Sequence, residues 1–342
     1  MKKAYFLVTN PTQMLNAVEA RKQFSAEFEK FVLIIFTDAD SFIPSIQKIA
    51  GEDWEIILFK DRFDQYWFKP MTRVFFKKKF LQQISRELKS EDTLFIGNIQ
   101  HFWCCVLGGR VNAECKKFTL DDGLSMLTFY SRFIKQGNRY WSPPLAKGIR
   151  GKLEKWICGV PKLDTSKWFF FTNLELNQND ARIIRSEMRY TKGLIDSGVS
   201  VFQGVYFIEQ PIVELGILNK QDYLKLMNKI ALYYQNLNLE FIVVRHRSAH
   251  LQLLNEFYRV VEYDLPIEFQ LSTQREFPQR LATFFSSAIY NIACLQLSEI
   301  ECDTWAIAHG ECDENVLIHS DLFGWFRSLK NAKLNVLKVS LE

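Results

Sequence analysis

Residues 4–36 read AYFLVTNPTQMLNAVEARKQFSAEFEKFVLIIF, and this stretch decides the fold class of the chain. Two short apolar runs, residues 4–8 and 31–36, predict β-strands. Residues 13–24 lie between them and predict a helix with one apolar side. A strand, a helix and a second strand in this order favour a parallel sheet with right-handed crossover connections.

The same alternation continues along the 342 residues of the chain. Further strands are predicted at residues 54–59, 93–97, 168–172, 201–207, 240–244, 259–261 and 304–308, and helices at 71–88 and 288–295. Residues 134–166 break the pattern with many glycines, prolines and basic residues, which predicts loops and a short amphipathic helix leading towards a hinge. We therefore expect an α/β protein with two doubly wound domains, residues 1–165 and 166–342, facing a central cleft.

Composition excludes several classes of protein. The net charge of +4 is too weak to indicate a nucleic-acid-binding protein by itself. The seven cysteines are scattered without a CxxC pair, so we expect neither a disulfide framework nor a zinc site, and the cytoplasm is the simplest compartment. The first apolar run is too short for a signal peptide, and no stretch approaches the roughly 20 apolar residues of a membrane span. The expected protein is soluble or lies on a membrane surface.

Asp121, Asp122 and Gly123 follow the strand-like residues 117–120. Adjacent carboxylates repel each other, so the pKa of one tends to rise, which suits abstraction of a proton from a hydroxyl group. Gly123 would allow a sharp turn that points the pair into the cleft. The alternative is an ordinary surface turn, which the motif alone favours.

Arg245, His246 and Arg247 end the predicted strand at residues 241–244. A histidine between two arginines at this position suits a phosphate group, although a solvated basic loop is equally compatible. His246 and His250 also have a spacing found in metal sites. Without a companion carboxylate motif such as HExxH, we do not expect a metal there.

Two further segments in the second half carry candidate ligand-binding residues. Ser286 and Ser287 open a predicted helix, where hydroxyls and backbone N–H groups can bind phosphate, but N-capping explains one serine equally well. Pro266 and Glu268 belong to a PIE segment after residues 259–263. Its carboxylate could accept two hydrogen bonds from a ribose diol, or it is a loop glutamate.

Two segments of the first half remain. Asp38-Ala39-Asp40 matches the DxD pattern of many metal-binding transferases, but it has no matching partner, so we interpret it as a turn. The basic aromatic residues 60–80 either bind a polyanion or a membrane surface, or form the outer face of a core helix with extended lysines.

Taken together and in order, these segments resemble the bacterial sialyltransferases and capsular polysialyltransferases of the GT-B type. NPTQMLNAVEA at residues 10–20 is similar to the first loop and helix of those enzymes, and QPIVELGI at residues 210–217 is similar to their QPLVELGI segment. The acidic pair before glycine, the strand-end histidine, the PIE segment and the paired serines follow in the family's order. The resemblance extends from Asn10 to Ser287.

The resemblance implies a GT-B fold of two Rossmann-like domains, with the acceptor and the catalytic base on the first and the donor on the second. It implies inverting, metal-independent transfer of sialic acid or a related nonulosonic acid from a CMP-sugar to a glycan such as a surface polysaccharide. No cofactor is expected beyond that co-substrate. The place of action would be the cytoplasm, including the inner face of the bacterial membrane. A non-catalytic binder of the same fold and a transferase of another nucleotide sugar stay open.

The resemblance also assigns roles to residues. Asp121 corresponds to the general base, and Asp122 is expected to fix the turn. His246 corresponds to the residue that contacts the donor phosphate. The expected donor-site residues are Ser286 and Ser287 at the phosphate, Glu268 at the ribose, and their neighbours Pro266, Arg245 and Arg247. Arg247 departs from the family, which usually has proline after the histidine. The contacts to the cytosine of the donor are therefore in question.

Overall fold

The computed structural model describes residues 1–59, 69–177, 179–195, 198–246, 249, 251–295, 300–307 and 334–340. The chain forms two compact units, Met1–Tyr190 and Thr191–Glu342. Within the described residues, no helix has both the length and the apolar character needed to cross a membrane.

The first unit contains a seven-stranded sheet and a two-stranded ribbon. Its strands are β1 (Lys3–Val8), β2 (Lys30–Ile35), β3 (Glu55–Leu58), β4 (Thr93–Ile96), β5 (Lys116–Leu120), β6 (Tyr140–Trp141), β7 (Leu163–Asp164), β8 (Trp168–Thr172) and β9 (Ile183–Arg185). The sheet order is β3-β2-β1-β4-β5-β8-β9 with parallel pairing throughout, and β6 pairs with β7 antiparallel.

Helices connect these strands. They are α1 (Pro11–Gln23), α2 (Phe42–Ala50), α3 (Lys69–Glu87), α4 (Phe102–Gly108), α5 (Leu124–Phe129) and α6 (Gly148–Cys158), and α7 (Arg189–Gly193) crosses from the first unit into the second. A π-helical turn follows α5 at Tyr130–Ile134, and a 3₁₀ turn precedes β8 at Thr165–Lys167.

The quoted stretch explains why the first crossover forms. Asn10 caps α1 by accepting a hydrogen bond from the backbone N–H of Gln13, and Pro11 occupies the first turn, where its missing N–H costs nothing. Beneath the helix, Phe6, Phe95 and Phe118 stack across β1, β4 and β5 with ring centroids 4.3 and 4.6 Å apart. These buried rings hold the middle of the sheet together.

The second unit repeats the doubly wound plan. Its strands are β10 (Ser200–Ile208), β11 (Glu240–Val244), β12 (Arg259–Val261), β13 (Glu276–Thr283), β14 (Glu301–Ile307) and β15 (Leu334–Val339), and its helices are α8 (Lys220–Asn236), α9 (Ile267–Ser272) and α10 (Ser287–Cys294). The parallel sheet has the order β12-β11-β10-β13-β14-β15, which is the 3-2-1-4-5-6 order of dinucleotide-binding folds. The first five strands of the other unit follow the same order, 3-2-1-4-5.

The expected domain boundary at residues 165 and 166 is wrong. The strand predicted at 168–172 was assigned to the second domain, but it forms β8, which pairs with β5 in the first sheet. Phe170 and Phe171 of this strand are fully buried in the first unit, so the chain completes that sheet before it leaves. The boundary lies between Tyr190 and Thr191.

Candidate functional site

The topological switch point of the first sheet lies between β1 and β4, whose connections run in opposite directions. In doubly wound folds, ligands bind at the carboxyl end of the strands at such a point. Asn10 follows β1, Asn98 follows β4, and Asp122 follows the adjacent β5. Asn98 donates a hydrogen bond of 2.6 Å to Oδ2 of Asp122, and Asn10 donates one of 3.4 Å to Oδ1. The switch point therefore carries a carboxylate held between two amides.

The other member of the acidic pair has an internal role. Asp121 is only 1% exposed. Its Oδ1 accepts the backbone N–H of Gly123 at 2.7 Å, and its Oδ2 accepts the hydroxyl of Thr172 at 2.5 Å. Gly123 has φ of 70°, a conformation that glycine adopts readily. Asp121 thus closes the turn and ties it to β8.

This arrangement reverses the expected division of work within the pair. The resemblance predicts that Asp122 fixes the turn, but the carboxylate that accepts the backbone N–H of Gly123 is that of Asp121. Asp122 is half-buried, and its carboxylate lies among the side chains of the sheet edge. Its backbone carbonyl accepts the hydroxyl of Ser125 at 3.1 Å, so the main chain beneath it is also fixed. Asp122 is the more accessible carboxylate of the two.

The second sheet has its switch point between β10 and β13. Gln210 follows β10, and its Oε1 accepts the backbone N–H of Phe285 at 2.9 Å, which joins the ends of the two strands. Ser286 and Ser287 come next and are half-buried. His246 follows β11, the neighbour of β10 on the other side, and is also half-buried. The predicted histidine and the two serines therefore lie along one sheet edge, in the strand order β11, β10, β13.

Ser286 has the capping role that the sequence left open. It is the N-cap of α10, and its hydroxyl oxygen accepts the backbone N–H of Ala288 at 3.3 Å. Ser287 is the first residue of the helix. A helix N-terminus carries a partial positive charge and presents N–H groups, so this end of α10 suits an anion as well as a cap.

The flanking predicted residues are more constrained. Arg245 forms an ion pair with Glu262 and a hydrogen bond with Asn255, so its positive charge is already paired beside β12. Arg247 and His250 lie outside the described residues.

The PIE segment also makes internal contacts. Pro266 precedes α9, and Glu268 is buried within that helix. Oε1 of Glu268 accepts the side-chain amide of Asn291 on α10 at 2.7 Å, which ties α9 to α10. Glu268 therefore connects its own helix to α10, the helix that Ser286 caps.

Glu209 is a candidate that the sequence reasoning missed. It follows β10 directly, is 4% exposed, and lies beside the ends of β11. Burial raises the pKa of Glu209 to about 7, against the opposing effects of a hydrogen bond from the backbone N–H of His246 and the charge of Arg245. The sequence does contain a signal for this residue, because Glu209 stands directly before QPIVELGI at the end of an apolar strand.

The DxD-like segment is a turn, as expected, and it has an additional structural contact. Asp38 forms ion pairs with Lys77 and Arg73 of α3 and with Arg150 of α6. Although burial opposes its ionisation, these three charges hold the pKa of Asp38 below its usual value. Within the described ranges, no three His, Cys, Asp or Glu side chains are grouped so that they could hold a metal ion.

The basic aromatic stretch lies partly outside the described residues, which omit 60–68. Its described part begins α3, where Lys77 is buried and Lys78 donates to the backbone carbonyl of Ile157 at 2.5 Å. Phe80 packs against Phe36 and Phe59. On the same part of α3, Met71 and Phe75 are exposed, so the described residues leave both alternatives open.

No protein-family model matches the sequence, and neither does any curated protein sequence. Among solved structures, S. aureus MnaA with UDP has a TM-score of 0.50 at 8% identity, covering 89% of this chain and 79% of that one. A structure from Listeria monocytogenes, assigned as a UDP-N-acetylglucosamine 2-epimerase, has a TM-score of 0.49 at 10% identity and covers 89% of this chain and 79% of that one. E. coli heptosyltransferase WaaC with ADP-2-deoxy-2-fluoro heptose has 0.42 at 11% identity, with coverage of 98% and 92%.

At these identities the likeness concerns the fold alone. Two parallel sheets with the strand order described above and the similarity to MnaA establish a GT-B fold with two Rossmann-like units. Sialyltransferases are not among these neighbours.

Proposed function

We propose that this protein is an inverting glycosyltransferase that moves sialic acid or a related nonulosonic acid from a CMP-sugar to a glycan acceptor. One observation carries the proposal. Each sheet has polar or ionisable side chains at its own switch point, with a carboxylate on the first and a histidine with paired serines on the second. Transfer from a nucleotide sugar needs these two chemistries, a base for the acceptor and donors for the leaving phosphate.

The second unit would bind the donor. Ser286 and Ser287 at the N-terminus of α10 provide hydroxyl and backbone N–H groups for the phosphate of CMP. His246 would donate a hydrogen bond or a proton to the same phosphate as the bond to the sugar breaks. With such donors around it, a phosphate monoester can leave without a divalent cation, so we expect no metal and no cofactor.

The flanking residues would complete the nucleotide site. Glu268 is proposed for the ribose, which requires one oxygen to accept the diol while the other stays with Asn291. Pro266 is the N-cap residue of α9. Arg247, which lies outside the described residues, corresponds in the resemblance to the family's proline at the cytosine. Arg245 would act at longer range, because Glu262 already pairs with it.

The first unit would provide the general base, and we assign that role to Asp122. It is the accessible carboxylate of the pair, and the amides of Asn10 and Asn98 fix its orientation. Asp121 would position it by closing the turn at Gly123. This assignment differs from the resemblance alone, which favoured Asp121.

The proposed reaction follows from these roles. Positive charge develops at the anomeric carbon as its bond to the phosphate oxygen breaks, and CMP takes the electron pair. The acceptor hydroxyl attacks from the opposite face while Asp122 removes its proton, which inverts the configuration. The proposed acceptor is a bacterial surface polysaccharide, made on the cytoplasmic side of the membrane.

Release of CMP tests this function. A CMP-sugar is incubated with the protein in EDTA, with and without an oligosaccharide acceptor, and CMP is measured. We expect acceptor-dependent release that EDTA does not reduce. CMP binding without release would indicate a non-catalytic binder, and activity restricted to a nucleoside diphosphate sugar would indicate another transferase. Loss of activity on chelation would contradict the metal-independent mechanism.

A further inference from the structure

Helix α6 presents an unusual surface on the first unit. Ile149 is 74% exposed and Trp156 is 77% exposed. Their separation of seven residues places both on the same face of the helix. Val160 directly after the helix and Tyr140 on β6 are also exposed. We call Ile149, Trp156 and the lysines between and beside them the α6 face.

The charges around this face are mainly positive. Residues 134–166 contain seven basic and two acidic residues, an excess of five positive charges. Both acids form ion pairs with arginines of the segment, Glu154 with Arg150 and Asp164 with Arg139. The excess is therefore carried by lysines, and those that are exposed on or beside the helix are Lys147, Lys152, Lys155 and Lys162.

The inner side of α6 is firmly held, which makes its outer side a fixed platform. Gly151 and Glu154 are buried, and a side chain at Gly151 would clash with the backbone carbonyl of Ala146. Lys78 of α3 donates to the backbone carbonyl of Ile157, and Arg150 pairs with Asp38 after β2. The exposed Trp156 and Ile149 are therefore held outside by the packing of the helix, not by a loose loop.

We propose that the α6 face docks on an anionic phospholipid bilayer. Helices that lie in a membrane interface combine apolar or aromatic side chains, which enter the acyl boundary, with lysines that contact anionic headgroups. Exposed tryptophan is suited to the headgroup region because its ring is apolar and its N–H is polar. The lysine excess gives the complementarity to an anionic surface, and the inference does not depend on the proposed enzymatic activity.

Co-sedimentation with vesicles tests the proposal on the full chain. Wild-type protein is mixed with vesicles of phosphatidylglycerol and phosphatidylcholine, or of phosphatidylcholine alone. We expect binding to the anionic vesicles to be at least about tenfold stronger, and to weaken as salt rises from 0.1 to about 0.5 M. Equal binding to both vesicle types, or no binding to either, would overturn the proposal.

Two double variants and a matched control identify the surface. I149A/W156A and K152E/K155E should each weaken binding to anionic vesicles at least about tenfold. The control, Leu215→Ala, removes a side chain that is 59% exposed in the second unit and should bind as the wild type does. Circular dichroism confirms that the variants fold. Unchanged binding by both folded double variants would show that another surface carries the interaction and would contradict the assignment.

Discussion

The two switch points are built from opposite chemistry. In the first unit, the amides of Asn10 and Asn98 donate to one carboxylate, Asp122. In the second, the side chains at the sheet edge are a histidine and two serines at the start of a helix, with the buried carboxylate of Glu209 behind them. One fold plan, repeated in a chain, can therefore carry different side chains at its two switch points, because the residues after each strand vary independently of the strand order.

The largest expected effect is loss of turnover on replacing the carboxylate of the first switch point. Asp122→Asn keeps the shape of the side chain and removes its basic oxygen, so kcat should fall by about 100-fold or more. Donor affinity should stay near that of the wild type, because the proposed donor site is on the second unit. The measurement is steady-state release of CMP together with calorimetric binding of CMP.

Asp121→Asn is the matched control for that prediction. It should lose the hydrogen bond from Thr172 or from Gly123, and with it stability, more than chemistry. The assignment would be wrong if the folded Asp121 variant lost more kcat than a nearly active Asp122 variant. Asp121 would then be the general base. Circular dichroism must accompany both measurements.

At the second switch point, the buried carboxyl of Glu209 should make the free energy of unfolding depend on pH. Because the pKa of Glu209 is raised to about 7 from 4.5, the unfolded chain ionises this group before the folded one does. The contribution of Glu209 to folding stability therefore falls as pH rises from 4.5 to 7, by up to about 3 kcal/mol, and is constant above that range. Glu209→Gln should match the wild type near pH 4.5 and be the more stable at pH 8.

The control for Glu209 is Glu256→Gln, since Glu256 is an exposed glutamate of the same unit. Denaturant unfolding at several pH values between 4.5 and 8 gives the comparison. If Glu209→Gln and Glu256→Gln change stability equally at every pH, the carboxyl of Glu209 has no raised pKa.

A smaller change is expected in phosphate recognition. The double variant S286A/S287A removes both hydroxyls from the N-terminus of α10, so CMP affinity should fall at least about tenfold. Cytidine lacks the phosphate and should lose much less. Calorimetry with both ligands decides between the two roles, because equal losses for CMP and cytidine would leave the serines as helix caps only.

The smallest expected effect concerns the turn that carries the acidic pair. Gly123 and Gly137 both have positive φ, of 70° and 78°. Gly123 also has ψ of −138°, close to a region that is almost exclusive to glycine, so alanine there should cost about 1–3 kcal/mol of stability by denaturant unfolding. Alanine at Gly137 should destabilise the fold as well, because its positive φ also disfavours a side chain. Only Gly123→Ala should also lower kcat, since it displaces Asp122. Similar kcat values for the two variants would show that the turn at Gly123 is not needed for catalysis.

The sequence predicted much of the fold because strand and helix periodicities are local properties. The first crossover, most of the strands after it and the placement of His246 after a strand followed from pattern alone. The pattern did not predict β9, β13 or β15, so the position of Ser286 and Ser287 after β13 is known only from the structure. The domain boundary could not be found this way, because the sheet that β8 joins depends on which phenylalanines share a core. Within the site, the pair Asp121 and Asp122 has identical chemistry in the sequence. Only the three-dimensional positions of Thr172 and Asn98 distinguish the two carboxylates.

Binding of nucleotides in the presence of EDTA tests the central claim most directly. The full chain is titrated by calorimetry with CMP, UDP and ADP, and each titration is repeated with S286A/S287A. We predict that CMP binds the wild type without a metal, more tightly than UDP or ADP, and that the serine variant loses most of this affinity. Binding of UDP or ADP in preference to CMP, or binding of CMP that chelation abolishes, would contradict the account.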